Sequence, residues 1–323
     1  MAVLKRLKQA IPEFREQSEI VARSYGGSTL RWKLDMAWCL LRYGARPIDY
    51  VRFEFHKKSA RERNRYLTIY RYFRMQKYFG AGMKGISGKV EEYTTFSRFI
   101  QRDWIEVNSN TPTEILEDFV SKHGVAIAKP VRGEQGKGVL KISSVGSPEY
   151  KELLSQKDKT PFVLEELISN SPEIAAINPS SLNTVRAYTL IKKDGQTEIL
   201  AIMLRVGKAG SHVDNWGSGG VGYNFDVETG ICVDYGRDKN NNPYVYHPSS
   251  NMQMIGYRLP RFDELKRLVV ELSQSVPSAR FVGWDIAITP NGFDLVEMNC
   301  PGGHDFLQAF GEPFGDALKH ELK

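Results

Sequence analysis

No run of about eighteen consecutive apolar residues occurs in this chain of 323 residues, so no segment is expected to cross a bilayer as a helix. Cysteine is scarce. Cys39, Cys232 and Cys300 are odd in number and far apart, which argues against a disulfide framework or a zinc site and fits a reducing compartment. The opening residues, MAVLKRLKQAIPEFREQ, are basic but lack the apolar core of an export signal. A cytoplasmic location is the resulting expectation. No helix-turn-helix, zinc-finger or RNP pattern is present, so no nucleic acid is expected as a partner, and no internal repeat shows.

Acidic residues are scarce at the front. Residues 1–90 hold 20 Lys and Arg against 7 Asp and Glu, leaving 24 against 31 beyond, so a segment of +13 precedes one of −7 within the net +6. Such asymmetry points to an anionic partner for the front: a phosphorylated substrate, or an anionic membrane surface that would hold the protein at the inner face of the membrane. A basic helical face paired with later acids is the plainer reading. Val3, Leu4, Leu7, Ala10 and Ile11 recur at helical spacing beside Lys5, Arg6 and Lys8, a basic amphipathic helix that docks on a membrane or on its own protein. Helices are also expected over 31–43 and 60–78, with aromatic stripes that read as core, and a Gly-rich loop over 80–88.

The pattern reads as helical over 89–105 and again from Thr113 to a stop at Gly124. Then the period changes to two. Residues 125–128 and 139–142 read as strands joined by GEQGKG at 133–138, which differs from a Walker loop or a dinucleotide fingerprint, since both of those lead from a strand into a helix. The glycines would let a hairpin tip bring backbone N–H groups against phosphates, and Lys129 would add a charged contact; a merely flexible hairpin is the plainer account. Residues 162–168, FVLEELI, form an apolar strand ended by two acids. It suits a nucleotide hinge, where backbone groups meet the adenine edge and a later carboxylate such as Glu173 takes the ribose, or else an ordinary surface strand end.

Strands over 183–190 and 199–206 carry Arg186 and Arg205. An Arg in an apolar strand needs an anion, either a bound phosphate or carboxylate, or a structural partner. Residues 207–222 are too rich in Gly and polar residues for regular structure and read as an active-site loop, with Asp214 and Asn215 as acceptor contacts. In 281–299, FVGWDIAITPNGFDLVEMN, two alternating runs flank Pro290-Asn291-Gly292 and predict an antiparallel hairpin. A three-residue turn with Gly292 left-handed would set Asp285 opposite Glu297, with Asn299 on the same face; a two-residue turn would separate the acids. Two carboxylates and an amide oxygen are hard donors that suit Mg²⁺, while solvated acids on a half-exposed hairpin are the plainer reading. Just beyond, Cys300 reads as a small packed residue rather than a nucleophile, and His304 as a substrate contact.

Lys129 at a strand end, the 133–138 loop, Glu165-Glu166-Leu167-Ile168, and Asp285 with Glu297-x-Asn299 together resemble the ATP-grasp superfamily, in which two α+β lobes clasp ATP. More narrowly, NPSSLNTVRAYTL, LRVG with VDNWGSGGVG, HPSS followed by GYRLP, and GWDIAITPNGFDLVEMN resemble the sugar-transfer-associated ATP-grasp group, whose members are thought to act in cell-surface polysaccharide pathways. The likeness runs from about residue 89 to 308, with a looser one at 42–66. It implies an α+β fold of three parts: a helical basic region over 1–88, lead-in helices and a small lobe over 89–168, and a large lobe with the metal site over 169–323. It further implies that Lys129, Gly136, Lys137 and Gly138 hold the phosphates of ATP and that Glu165, Glu166, Leu167 and Ile168 form the hinge. Glu173 would take the ribose, Asp285, Glu297 and Asn299 would hold Mg²⁺, and Arg186 and Arg205 would be catalytic. The superfamily usually has a further nucleotide-binding lysine earlier in the chain; Lys89 stands in that place, but its surroundings, SGKVEEYTTF, match poorly.

The function implied is an ADP-forming carboxylate–amine ligase working through an acyl phosphate, on a small-molecule or sugar-linked substrate such as a cell-surface polysaccharide precursor or a related sugar or amino acid. Positioning and charge neutralisation suffice for that chemistry. A sugar or polyol kinase using the same nucleotide site is the first rival, and a nucleotide-binding scaffold without turnover the second.

Overall fold

Local chemistry sets most helix ends in the front region. In the computed structural model, which describes residues 2–79, 86, 88–133, 137–208, 219–310 and 313–322 (residues 2–10, 77 and 322 by backbone alone), α1 spans Ala2–Tyr25 and α2 spans Thr29–Tyr43. The Ser28 hydroxyl caps α2 by accepting from the Arg31 N–H, and Gly44 ends it in the left-handed region at φ 68°. The helix α3 (Pro47–Arg52) follows. The single helix expected over 60–78 is two, α4 (Ala60–Arg65) and α5 (Ile69–Phe79). Distant partners make the break: the Leu67 N–H donates to Gln308 Oε1 at 2.8 Å and the Thr68 hydroxyl to the Tyr43 carbonyl at 2.6 Å. No local pattern could announce either bond.

The helix expected over 89–105 is also shorter. It ends as α6 (Lys89–Thr95), and a 3₁₀ turn over Ser97–Phe99 leads into β1 (Trp104–Val107). Then come α7 (Thr113–His123), β2 (Ala126–Pro130), β3 (Leu140–Ile142), α8 (Pro148–Gln156) and β4 (Phe162–Glu166). The four strands form an antiparallel sheet in the order β1-β4-β2-β3. On one face Ala126, Ala128, Phe162 and Leu164 pack with Leu116 and Phe119 of α7 and Leu153 of α8. Strand alternation puts Lys129, Val163 and Glu165 on the other face.

After the short α9 (Pro172–Ala175) come β5 (Thr184–Ile191), β6 (Thr197–Val206), β7 (Val221–Phe225), β8 (Gly236–Arg237), β9 (Pro243–Tyr244), α10 (Phe262–Ser275), β10 (Phe281–Thr289), β11 (Gly292–Asn299) and α11 (Gly315–Leu322). The seven strands run antiparallel in the order β11-β10-β5-β6-β7-β8-β9. Their sheet is buried on both faces: α10 covers one through Leu265, Val269 and Leu272, while Leu67, Tyr72 and Phe79 of the front region join Phe306, Phe310 and Leu318 over the other. This explains why its strands read as nearly continuous apolar runs.

The hairpin register arises by an unexpected route. Thr289 pairs with Gly292, so the loop is the two-residue Pro290-Asn291 and not three residues; Gly292, at φ 148°, opens β11. A two-residue turn alone would split the acids, but a β-bulge leaves Val296 unpaired between Leu295 and Glu297 and restores Asp285 opposite Glu297.

Arg102 joins the two sheets. It is buried, donates from Nε to Glu165 Oε2 at 2.9 Å and from Nη1 to the Leu295 carbonyl at 2.8 Å, and pairs through Nη1 with Asp294 of β11. Its own N–H reaches Asp294 Oδ2 at 3.1 Å. Arg102→Ala should lower unfolding free energy by about 3–5 kcal/mol, the usual effect of removing one partner from a buried ion pair. A urea-denaturation midpoint equal to the wild type's would refute that role.

Candidate active site

The sheet junction gathers an alternating set of charges. Glu165 is buried with the Lys129 ammonium on Oε1, and with Arg102 and the Tyr93 hydroxyl on Oε2, the latter at 2.5 Å. Burial by itself pushes this carboxyl up, yet the charges of Lys129 and Arg102 and the hydrogen bonds from Lys129 and Tyr93 bring it down to about 2. Glu165 is thus a fixed anion that aims Lys129. Lys137 and Gly138 stand exposed where the chain enters β3; Gly138 has φ 73°, and a Cβ there would lie 3.1 Å from Pro130 Cγ. Gly136 lies outside the described residues.

Lys89, doubtful by its sequence surroundings, is brought to this place by the fold. Its ammonium lies 3.4 Å from the Gly133 carbonyl and 3.8 Å from Glu297 Oε1, linking the glycine loop to the β11 carboxylate. Beside it Glu92 is buried and accepts the Met298 N–H at 2.6 Å. Its carboxyl is pushed up to about 7 by burial, against the Met298 hydrogen bond, with the charge of Glu297 adding to the rise and those of Lys89 and Lys129 opposing it. Groups from α6, the glycine loop and β11 therefore meet at one place.

At the large-sheet side, Asp285 is buried and takes both arginines. Arg186 binds it through Nε and, at 2.9 Å, through Nη2; Arg205 Nη2 lies 3.0 Å from Oδ2 and also donates to Thr184 Oγ1 at 2.6 Å. Burial raises the Asp285 carboxyl, but the two guanidinium charges outweigh it and hold it below the ordinary range. The structural ion pair left open by the sequence is thus formed, and neither arginine faces the cleft unpaired. Asn299 Nδ2 contacts Asp285 Oδ2 at 3.4 Å, which leaves its amide oxygen as an acceptor, while the Glu297 side chain is 44% exposed. Among the described residues no three His, Cys, Asp or Glu side chains gather into a metal-holding group. The donor set of Glu297, Asn299 and the arginine-held Asp285 nevertheless fits Mg²⁺, which takes one or two carboxylates and completes its octahedron with phosphate oxygens and water.

Other expected site residues are placed as follows. Glu166 accepts the Asp103 N–H at 3.3 Å, and Leu167 and Ile168 leave the strand, Leu167 39% exposed, belonging to neither sheet. Glu173 is exposed on α9 and lines a groove of about 520 Å³ with Tyr257, Arg258 and Arg261, a set that shares no residue with the charged cleft. His304 is buried, stacks on Tyr72 with ring centres 5.1 Å apart and lies 3.4 Å from Asp49 Oδ1, so it joins the front region. Asp214 and Asn215 lie outside the described residues. Cys300 is half-buried with its Sγ 3.9 Å from the Phe79 carbonyl, and burial pushes its thiol up to about 11. The sequence reading missed Tyr93, Glu92, Arg102, Asp294 and Thr184, all of which meet partners remote in the chain.

The family model for sugar-transfer-associated ATP-grasp proteins matches residues 100–321, more than two thirds of the chain. The chain belongs to the sugar-transfer-associated ATP-grasp family. Membership carries the ATP-grasp fold and ATP with Mg²⁺ as cofactors. No curated protein matches the chain. Among solved structures, the ATP-grasp ligase PsnB complexed with a minimal precursor is similar at 15% identity and a TM-score of 0.47, over 76% of this chain and 63% of that one. N5-carboxyaminoimidazole synthetase from Staphylococcus aureus complexed with ADP is similar at 14% identity and 0.45, over 69% and 46%. The D-alanine-D-alanine ligase from Coxiella burnetii follows at 11% and 0.42, over 72% and 55%. The chain spans less than two thirds of each of those three structures, and at these scores the likenesses carry no argument about what it acts on.

The lowered Glu165 carboxyl has a measurable consequence for this ATP-grasp fold. Its folded value of about 2 lies below the ordinary 4.5, so its contribution to stability is complete above about pH 4.5 and is lost as pH falls toward 2. Glu165→Gln should lose less stability than the wild type across that window, as followed by denaturant midpoints at each pH. Parallel loss in both proteins would contradict the assignment.

Proposed function

We propose that the chain is an ADP-forming carboxylate–amine ligase acting through an acyl phosphate on a small-molecule or sugar-linked substrate of a cell-surface polysaccharide pathway. The observation that carries the reading is the meeting of Lys89, Glu297 and the glycine-loop residue Gly133, with the Lys129–Glu165 pair on the small sheet and Asp285 with its two arginines opposite Glu297 on the large one. The described side chains there are cations and oxygen donors, and the substrates supply the reacting groups in this reading. The polysaccharide assignment rests on the family's association with sugar transfer.

In the proposed reaction a substrate carboxylate oxygen attacks the γ-phosphorus of ATP, the bond to the β–γ bridging oxygen breaks, and ADP leaves. The amine then forms the C–N bond at the acyl carbon, the C–O bond to phosphate breaks, and the nitrogen gives up a proton. Leu167 and Ile168, free of both sheets, offer backbone to the adenine edge, with Glu166 beside them. Lys129, Lys137 and Lys89 neutralise phosphate charge, with the glycine loop closing over it. Mg²⁺ bound by Glu297, Asn299 and Asp285 would offset charge on the phosphate oxygens. Arg186 and Arg205 bring two guanidinium groups to the carboxylate of Asp285, positive charge at the sheet face for the transferring phosphoryl group and the tetrahedral intermediate. Asp214, Asn215 and His304 remain the proposed substrate contacts and Glu173 the proposed ribose contact.

With ATP, Mg²⁺ and a panel of amino acids and sugar acids, replacement of the amine by hydroxylamine should give a hydroxamate and ADP. AMP with pyrophosphate, or a stable phosphoester without hydroxamate, would overturn the reading, the second in favour of a kinase. Glu297→Gln should lower kcat at least about 100-fold while leaving the melting temperature near that of the wild type, because its side chain is 44% exposed and its nearest cation is 3.8 Å away. Retained turnover would remove Glu297 from the metal site.

A further inference from the structure

The helix α2 buries one face and leaves the other apolar. Trp32, Met36, Cys39 and Tyr43 enter the front-region core, whereas Leu30, Leu34, Trp38 and Leu41 are 64, 64, 57 and 83% exposed. Spacings of four, four and three residues set these four in one stripe about 17 Å long. At about 100° per residue Arg31 and Arg42 rim one side of the stripe and Lys33 the other. Arg42 and Arg71 both lie over the Tyr43 ring, their guanidinium carbons 5.9 and 5.6 Å from its centre, which brings α5 and its Arg74 to the Leu41 end. Arg71 is shifted down by burial and by the charges of Arg74 and Arg42, so cations crowd there. Among the described residues none of Arg31, Lys33, Arg42, Arg71 and Arg74 forms an ion pair with a carboxylate.

We propose that the α2 stripe is a membrane-docking surface, seated in the interface of an anionic lipid bilayer with Leu30, Leu34, Trp38 and Leu41 toward the acyl chains and the rim of Arg and Lys on the headgroups. The chemistry selects this occupant. An apolar helix face bordered by cations lies in the bilayer interface, Trp favours the headgroup level, and each basic residue near an anionic surface adds attraction that salt screens. A second copy docked stripe to stripe would set cationic rims against one another, and the +13 of residues 1–90 calls for an anionic partner. The stripe lies on the second helix; the side chains of the basic amphipathic pattern at 3–10 lie outside the described residues. Docking there would hold the enzyme at a surface without a spanning helix, since none of the described helices is long and apolar enough to cross a membrane.

The test is co-sedimentation of the full chain with vesicles of phosphatidylcholine and phosphatidylglycerol in equal parts, and of phosphatidylcholine alone. The protein should partition onto the anionic vesicles, release as salt rises, and bind phosphatidylcholine at least about tenfold more weakly. Leu34→Glu with Trp38→Glu, and separately Arg31→Glu with Arg42→Glu, should each reduce partitioning about tenfold or more. Ile115→Glu, a charge added at an exposed apolar residue of α7, should not. Melting temperature and ATP affinity should be unchanged in every variant. No binding to anionic vesicles, equal binding to phosphatidylcholine, or equal loss in the Ile115 variant would overturn the proposal. So would a dimer in sedimentation velocity that Leu34→Glu dissociates, which would assign the stripe to a second copy.

Discussion

The buried side chain of Arg102 is the constraint on which the two-sheet arrangement turns. A guanidinium with 2% of its side chain exposed is tolerable only if its charge is met, and here Glu165 meets it from one sheet and Asp294 from the other. Because Glu165 also carries Lys129, the same chain of charges that joins the sheets orients the candidate phosphate-binding lysine. The joint between the sheets and the proposed nucleotide contact therefore share a carboxylate. A group aimed in this way needs little reorganisation when a phosphate arrives, which is the condition under which electrostatic stabilisation is most effective.

A similar economy holds at β11. The bulge at Val296 sets Glu297 opposite Asp285, and the Met298 N–H between the two proposed metal donors of β11 is taken by Glu92. The strand is thereby tied to α6, whose first residue is Lys89. Asp285 keeps two arginines in place on neighbouring strands β5 and β6, so the hairpin fixes both the oxygen donors and the cations. Loss of hairpin register would disperse all of them together.

The front region is more than an appendage on this architecture. Leu67, Tyr72 and Phe79 help to cover one face of the seven-stranded sheet, Arg52 pairs with Asp305 at 2.6 Å, and Gln308 holds the backbone of Leu67 from both sides. The region is thus anchored to the segment that follows β11. Its α2 stripe is exposed on the outside of this region.

Sequence alone determined the elements whose signals are local. Alternation and turn residues gave the 281–299 hairpin, helical spacing gave a helix over 31–43, and the run of motifs from Lys129 to Asn299 was sufficient to name the family. Those features depend on neighbours a few residues apart, where periodicity and capping act. What only the tertiary structure decided depends on partners far along the chain. The helix break at Leu67 follows from Gln308, the placement of Lys89 from Gly133 and Glu297, and the role of Arg102 from Glu165 and Asp294. Even the hairpin register, right in its outcome, came from a bulge that no turn signal encodes. Long-range ion pairs and hydrogen bonds leave no periodic trace in the sequence, because the residues that make them are chosen by the packing of whole sheets.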